Sequence, residues 1–170
     1  MKLSEQEKEP QAQSNYEVLR SGLFGGSLSF DEVRQRLYEF DQATPTRDAS
    51  EDNLKFLYDS EVVKFVHDHP ETLQGYKSTL SFTEFHVAQR MAWAGSEDAA
   101  EHFKKALENT DSNSSWAAYI AGTLLYAEGK EIPEDLIMKA DKGRNREILR
   151  NFNEGLKLRG VQNYQEDYSK

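Results

Sequence analysis

From Phe30 to Phe40 the apolar residues Phe30, Val33, Leu37 and Phe40 recur three and four positions apart, with charged residues between them. That spacing gathers them on one face of a helix. Ser29 and Glu32 stand where a capping box would open it, each side chain placed to pair a backbone N–H that the first turn leaves free. The helix should stop before Pro45, whose ring disfavours helical geometry in the preceding residue. Leu54, Leu57, Tyr58, Val62 and Phe65 make a second such face, predicting one helix over about 51–68 that Pro70 ends. Tyr16, Leu19 and Leu23 predict a short helix over about 15–23, with the Gly25–Gly26 turn behind it.

The second half is more regular. Ser81 and Glu84 repeat the capping-box spacing ahead of Phe82, Phe85, Ala88, Met91 and Ala92, and Gly95 can take the left-handed conformation that closes a helix. The next helix turns Ala99, Phe103 and Ala106 inward and carries a Glu101–Lys105 pair. Pro133 opens a short helix, and Asn145 to Gly160 forms the last. No stretch alternates with period two for long enough to make a strand, so the expected class is all-α, with about eight helices. Between these helices, Trp116 to Ala127 is apolar or small on every side. The run falls short of the ~20 residues a bilayer crossing needs. A helix covered by protein from several directions fits it.

A forward shift of 34 positions superimposes the two halves of this region: Ser81 falls on Ser115, Phe82 on Trp116, Phe85 on Tyr119, Ala88 on Gly122, Met91 on Leu125 and Gly95 on Gly129. Phe103 then falls on Ile137 and Ala106 on Ala140. A repeat of this period is one supersecondary unit that cannot bury its apolar face alone, so units stack. The pattern resembles the tetratricopeptide repeat over about 81–141. A small residue, a large one three later and a glycine four after that occur as Ala88, Met91, Gly95 and again as Gly122, Leu125, Gly129; Ala99, Phe103 and Ala106 match the family's second helix. Gly95 to Ala99 is one residue shorter than the family spacing, Trp116 lies two residues ahead of its usual aromatic, and Pro133 stands where the second copy needs its first alanine. The resemblance implies antiparallel helical hairpins stacked as a short right-handed superhelix. Ala88 and Gly122 would be equivalent points where helices touch nearly backbone to backbone. It also implies that first helices line a concave groove for a protein or peptide partner, which makes Trp93, Trp116, Tyr119 and Tyr126 candidate partner-binding residues beside their alternative use in the core.

The chain of 170 residues is expected to form a single helical domain over 14–160, with N-terminal helices over 14–76 and repeat-like helices over 81–160. The polar opening, 1–13, reads as a disordered tail, and 161–170 as a C-terminal tail whose two tyrosines either pack back or meet a partner. Thirty acidic residues against 21 basic leave a net charge of −9, which repels phosphate backbones and anionic membranes. No apolar leader is visible, cysteine is absent, and mean hydropathy is −0.82, so a cytoplasmic protein is the default expectation.

Candidate chemistry is sparse. His67 and His69 are two apart at a helix end, a poor geometry for a shared metal, and no metal or cofactor is expected. Asp98 and His102 are spaced to face each other on one helix, without a nucleophile motif or a glycine-rich phosphate loop beside them. Charge is organised against the overall sign in one place. Arg146, Arg150 and Lys157 fall within about 40° of one another on the last helix, a candidate docking stripe for an acidic partner. The expectation is a non-enzymatic binding or adaptor module. The alternative is an enzyme or small-ligand protein with a polar site between the N-terminal helices and the repeat region.

Overall fold

The computed structural model describes residues 13–43 and 47–170, and the expected tail over 1–13 lies almost wholly outside them. Among the described residues the fold is all-α, with ten α-helices, one 3-10 turn and no strand. In chain order these are α1 (Asn15–Phe24), α2 (Phe30–Ala43), α3 (Arg47–Leu57), α4 (Ser60–Asp68), the 3-10 turn Pro70–Thr72, α5 (Leu73–Trp93), α6 (Ala99–Glu108), α7 (Ser115–Ala127), α8 (Glu134–Lys139), α9 (Arg144–Arg159) and α10 (Tyr164–Tyr168). No helix among the described residues is long and apolar enough to cross a membrane.

Two cores share one helix. Leu19, Val33, Leu37, Phe56, Leu57 and Val62 pack together in the N-terminal half, joined by Leu80 from α5. Phe85, Ala88, Phe103, Ile120, Tyr126, Leu149 and Phe152 form the second core, to which α5 also contributes. At 1.5 Å per residue α5 is about 31 Å long. It packs against α2, α3 and α4 on one side and α6 on the other, so it is buried around much of its girth.

The single helix expected over 51–68 is two. Asp59 breaks it: its carboxylate accepts from the backbone N–H groups of Glu61 (2.8 Å) and Val62 (3.1 Å), an N-cap that restarts the chain as α4. The helix expected to open at Ser81 begins instead at Leu73. Gly75, Ser78, Thr79 and Ser81 are weak helix formers, but burial of Leu80 and Thr79 overrides propensity. Ser81 is therefore interior and buried, its hydroxyl donating to the Ala106 carbonyl at 2.8 Å across to α6.

The 34-residue correspondence is visible in the helix ends. After α5 the Ser96 N–H donates to the Met91 carbonyl and Gly95 N–H to Ala92, with Gly95 at φ +73°. After α7 the Lys130 N–H donates to Leu125 and Gly129 N–H to Tyr126, with Gly129 at φ +72°. Both are Schellman closures. Phe103 and Ile137 are both buried, as are Ala106 and Ala140. Ala88 and Gly122 lie in the same core, but the expected backbone-to-backbone contact is not what surrounds Gly122. A Cβ there would meet the Leu149 side chain at 2.7 Å and Ile132 at 3.4 Å. The glycine makes room for α9, not for a neighbouring backbone. α7 is covered by α6, α8 and α9, which accounts for its apolar character all round.

Residues 161–170 pack back. Tyr164 is buried, with its ring 5.2 Å from Phe152 and 6.2 Å from Tyr126. Asp167 is fully buried; it accepts from the Tyr126 hydroxyl at 2.7 Å and pairs with Arg159 and Lys170. It fits because α9 carries Gly155 at the contact, where any Cβ would run into the carboxylate.

Candidate functional site

On α5 the residues Gln74, Ser78, Phe82, Phe85 and Gln89 recur at three and four positions, so they form one stripe along the helix. That stripe is one wall and the floor of a cleft of about 490 Å³. α2 contributes Arg34 and Tyr38, the turn before α7 contributes Asn109, Thr110, Asp111 and Ser114, α7 contributes Trp116 and Tyr119, and Asn145 and Tyr168 complete the lining. Aromatic rings dominate the floor. Trp116 stands edge-on to Phe85 at 4.7 Å and lies 5.9 Å from Tyr119. Phe82 is 5.8 Å from Tyr38 and 4.2 Å from the His86 ring, and the Arg34 guanidinium sits over it at 5.7 Å. The walls are mostly amides and hydroxyls, so the cleft carries little charge in a chain whose net charge is −9.

The four aromatics singled out from sequence divide between different surroundings. Trp116 is half-buried and Tyr119 almost wholly buried, and both line this cleft. Trp93 lies elsewhere, 44% exposed, against Tyr164 and Tyr168 and beside a second cleft of about 670 Å³. Tyr126 is a core residue: it is 1% exposed, stacks on Phe152 at 4.0 Å, and spends its hydroxyl on Asp167. Burial, followed by the Asp167 carboxylate, pushes that phenol well above its ordinary pKa.

The basic stripe is engaged within the chain. Arg146 donates to the Met138 carbonyl at 2.7 Å and to Ala140 at 2.9 Å, pairing the last carbonyls of α8. Arg150 binds Glu134 at 3.0 Å, and Lys157 binds Glu131 at 2.9 Å. Alternating cations on a helix face gave no sign of these partners, which come from α8 and the loop before it. These pairs lie at the surface, with the Arg150 side chain 50% and the Lys157 side chain 65% exposed.

Two polar clusters tie the N-terminal helices to α5. Glu84, expected to cap a helix, is instead buried; it accepts from the Tyr58 hydroxyl at 3.0 Å and faces His102 Nδ1 at 2.7 Å. His102 thus pairs across to α5 and not with Asp98 on its own helix. Burial, with Glu84 beside it, pushes the Tyr58 phenol up to about 12. In the second cluster Asp41 is buried, with Arg90 Nε 3.6 Å and His86 Nε2 3.8 Å from its carboxylate. His86 Nδ1 is 2.7 Å from the Phe82 carbonyl. Desolvation lowers the His86 pKa, against the opposing pull of Asp41. His86 is the member of these clusters that reaches the cleft. His69 lies 3.2 Å from Glu71 at the end of α4. Among the described residues no three His, Asp or Glu side chains are grouped to hold a metal.

Arg34, Tyr38 and Gln89 were not legible as site residues, and Tyr168 only as a tail tyrosine that could meet a partner. They come from helices far apart in sequence, and the α5 stripe becomes a signal only once the helix is known to start at Leu73. No protein-family model matches this chain, and neither a curated protein nor a solved structure matches it. The ten-helix fold is compatible with a helical-repeat architecture.

Proposed function

We propose that this all-α protein is a non-enzymatic module that binds an extended peptide segment of a protein partner in the cleft between α2, α5 and α7. In this reading α5–α6 and α7–α8 are successive tetratricopeptide-like hairpins of a short superhelix, and the cleft is its concave side. The observation that carries the proposal is the cleft itself: open, floored by Phe82, Phe85, Trp116 and Tyr119, and walled by neutral amides. Amide side chains both donate and accept, as peptide units do, and exposed aromatic edges take apolar side chains. The His86–Asp41 and His102–Glu84 pairs are occupied in joining helices, which favours a binding role over the enzymatic alternative.

The test is selection of binders from a random peptide library by the full-length protein, followed by amide and indole shift mapping. Selected peptides should perturb Trp116, Tyr119 and Phe82. Tyr38→Glu, at a residue 44% exposed, should abolish binding while leaving Tm unchanged. Shifts confined to another face, or a library that yields no binder, would defeat the reading.

A further inference from the structure

We propose that the segment taken by this cleft is a proline-containing extended stretch, free of acidic residues and flanked by lysine or arginine, with one of its main-chain carbonyls held by the Tyr119 hydroxyl. The inference rests on the peptide-binding reading and narrows it to a class of partner.

The first observation is Tyr119. It is 3% exposed and its ring is part of the cleft floor, yet its hydroxyl makes no hydrogen bond to any described residue. The ring is buried but its oxygen is not among the buried unpaired atoms, so the hydroxyl keeps access to solvent where a ligand could meet it. Burial raises its pKa, so it stays protonated and is a donor. Beside it the Trp116 indole N–H has only a long contact to Ser81 Oγ, 3.4 Å. Rings and donors therefore meet at one place on the floor. On the walls, the side chains of Gln74, Ser78 and Asn145 form no hydrogen bond with described residues. A prolyl segment suits this set. Its carbonyls need donors, proline has no N–H to satisfy, its rings pack on aromatic faces, and its preformed polyproline geometry loses little freedom on binding.

The second observation is length. A neighbouring cleft of about 430 Å³ shares Arg34, Tyr38 and Phe82 with the first, so the depression continues along α2. A compact ligand would leave this extension empty; an extended chain would follow it.

Charge supplies the third. Along both clefts the ionised side chains are Arg34, Asp31 and Asp111, while the chain as a whole carries −9. Recognition inside is not ionic, but a segment leaving the cleft meets an acidic molecule, and that field favours basic flanks.

Calorimetry on the full-length protein with three synthetic dodecapeptides tests this. One has a proline- and leucine-containing centre with paired lysines at both ends; the second replaces every proline with alanine; the third replaces every lysine with glutamate. The first should bind at least about tenfold more tightly than the second, and the third should bind more weakly than the first by a margin that narrows in salt. Tyr119→Phe should weaken the first by about fivefold, the worth of one hydrogen bond, with Tm unchanged because the hydroxyl has no partner among the described residues. Equal binding of the proline and alanine peptides, both abolished by Tyr38→Glu, would overturn the proline inference and leave the peptide reading standing. So would failure of all three where a library-selected peptide still binds in the cleft. An unaltered affinity for Tyr119→Phe would overturn the role given to that hydroxyl. If neither these peptides nor any library peptide binds there, both readings fall.

Discussion

The helix pairs α5–α6 and α7–α8 close alike and begin differently. Both first helices end in a Schellman turn at a glycine of φ near +73°, and both second helices bury a large residue and an alanine at matching positions. Their starts have little in common. α7 opens at Ser114, whose hydroxyl accepts from the Ala117 N–H at 3.0 Å. α5 opens at Leu73, eight residues before the serine that was expected to cap it. α6 runs for ten residues and α8 for six. A glycine at a helix end acts through its own backbone, so sequence shows it directly. Where a helix begins depends also on what lies beside its first turns: α5 has the N-terminal core there, whereas the first turn of α7 packs through Trp116 on Phe85 of α5.

Substitutions can break that comparison in order of size. Gly122→Leu, at the position that corresponds to Ala88, should destabilise by about 3 kcal/mol or more, since the first added carbon already meets Leu149. Denaturant unfolding checks it, and Leu149→Ala in the same chain should recover part of the loss; an unchanged midpoint would remove Gly122 from the packed interface.

Asp167→Asn should cost about 2 kcal/mol at neutral pH, below the full value of a buried pair because Arg159 keeps some solvent contact. Burial pushes the Asp167 carboxyl up, but hydrogen bonds from Tyr126, Arg159 and Lys170 outweigh it and hold the pKa below the ordinary value. A depressed native pKa gives stability that is present above the unfolded value near 3.9 and lost as pH falls through the native one. The gap between wild type and Asp167→Asn should therefore be constant above about pH 5 and close in stronger acid. A gap independent of pH would show that the charge is not what holds α10.

The smallest effect compares the two serines. Ser81→Gly should cost about 1–2 kcal/mol, through lost helix propensity and the lost bond to Ala106. Ser114→Gly should cost only a few tenths, as glycine is tolerated at an N-cap. Thermal unfolding of the two variants decides it; equal losses would mean that Ser81 contributes no more than the N-cap Ser114 does.

Much of the fold was legible because short-range rules governed it. Phe30, Val33 and Leu37 marked α2, Gly95 and Gly129 marked two stops, and the apolar surroundings of Ile120 and Tyr126 marked the covered helix. What escaped were contacts between residues far apart in the chain. Asp59 looked like a polar position within a helix because nothing local distinguishes a cap from a solvent-facing acid. Whether the tail packs back or meets a partner stayed open because Asp167 reads as surface charge until Gly155, Arg159 and Tyr126 are seen around it. The candidate cleft was half visible for the same reason: Trp116 and Tyr119 came from one helix with a clear period, whereas Arg34 and Tyr38 reach them only through the packing of α2 on α5.

α5 belongs to two interiors at once, Leu80 in one and Phe85 in the other. Among the described residues the two cores are consequently joined through one helix. Cutting before Leu73 would strip the helix of one lining, and cutting after Trp93 would strip it of the other, so each fragment would be left with a bare hydrophobic flank. The outcome expected of two nuclei that share a rod is one unfolding transition.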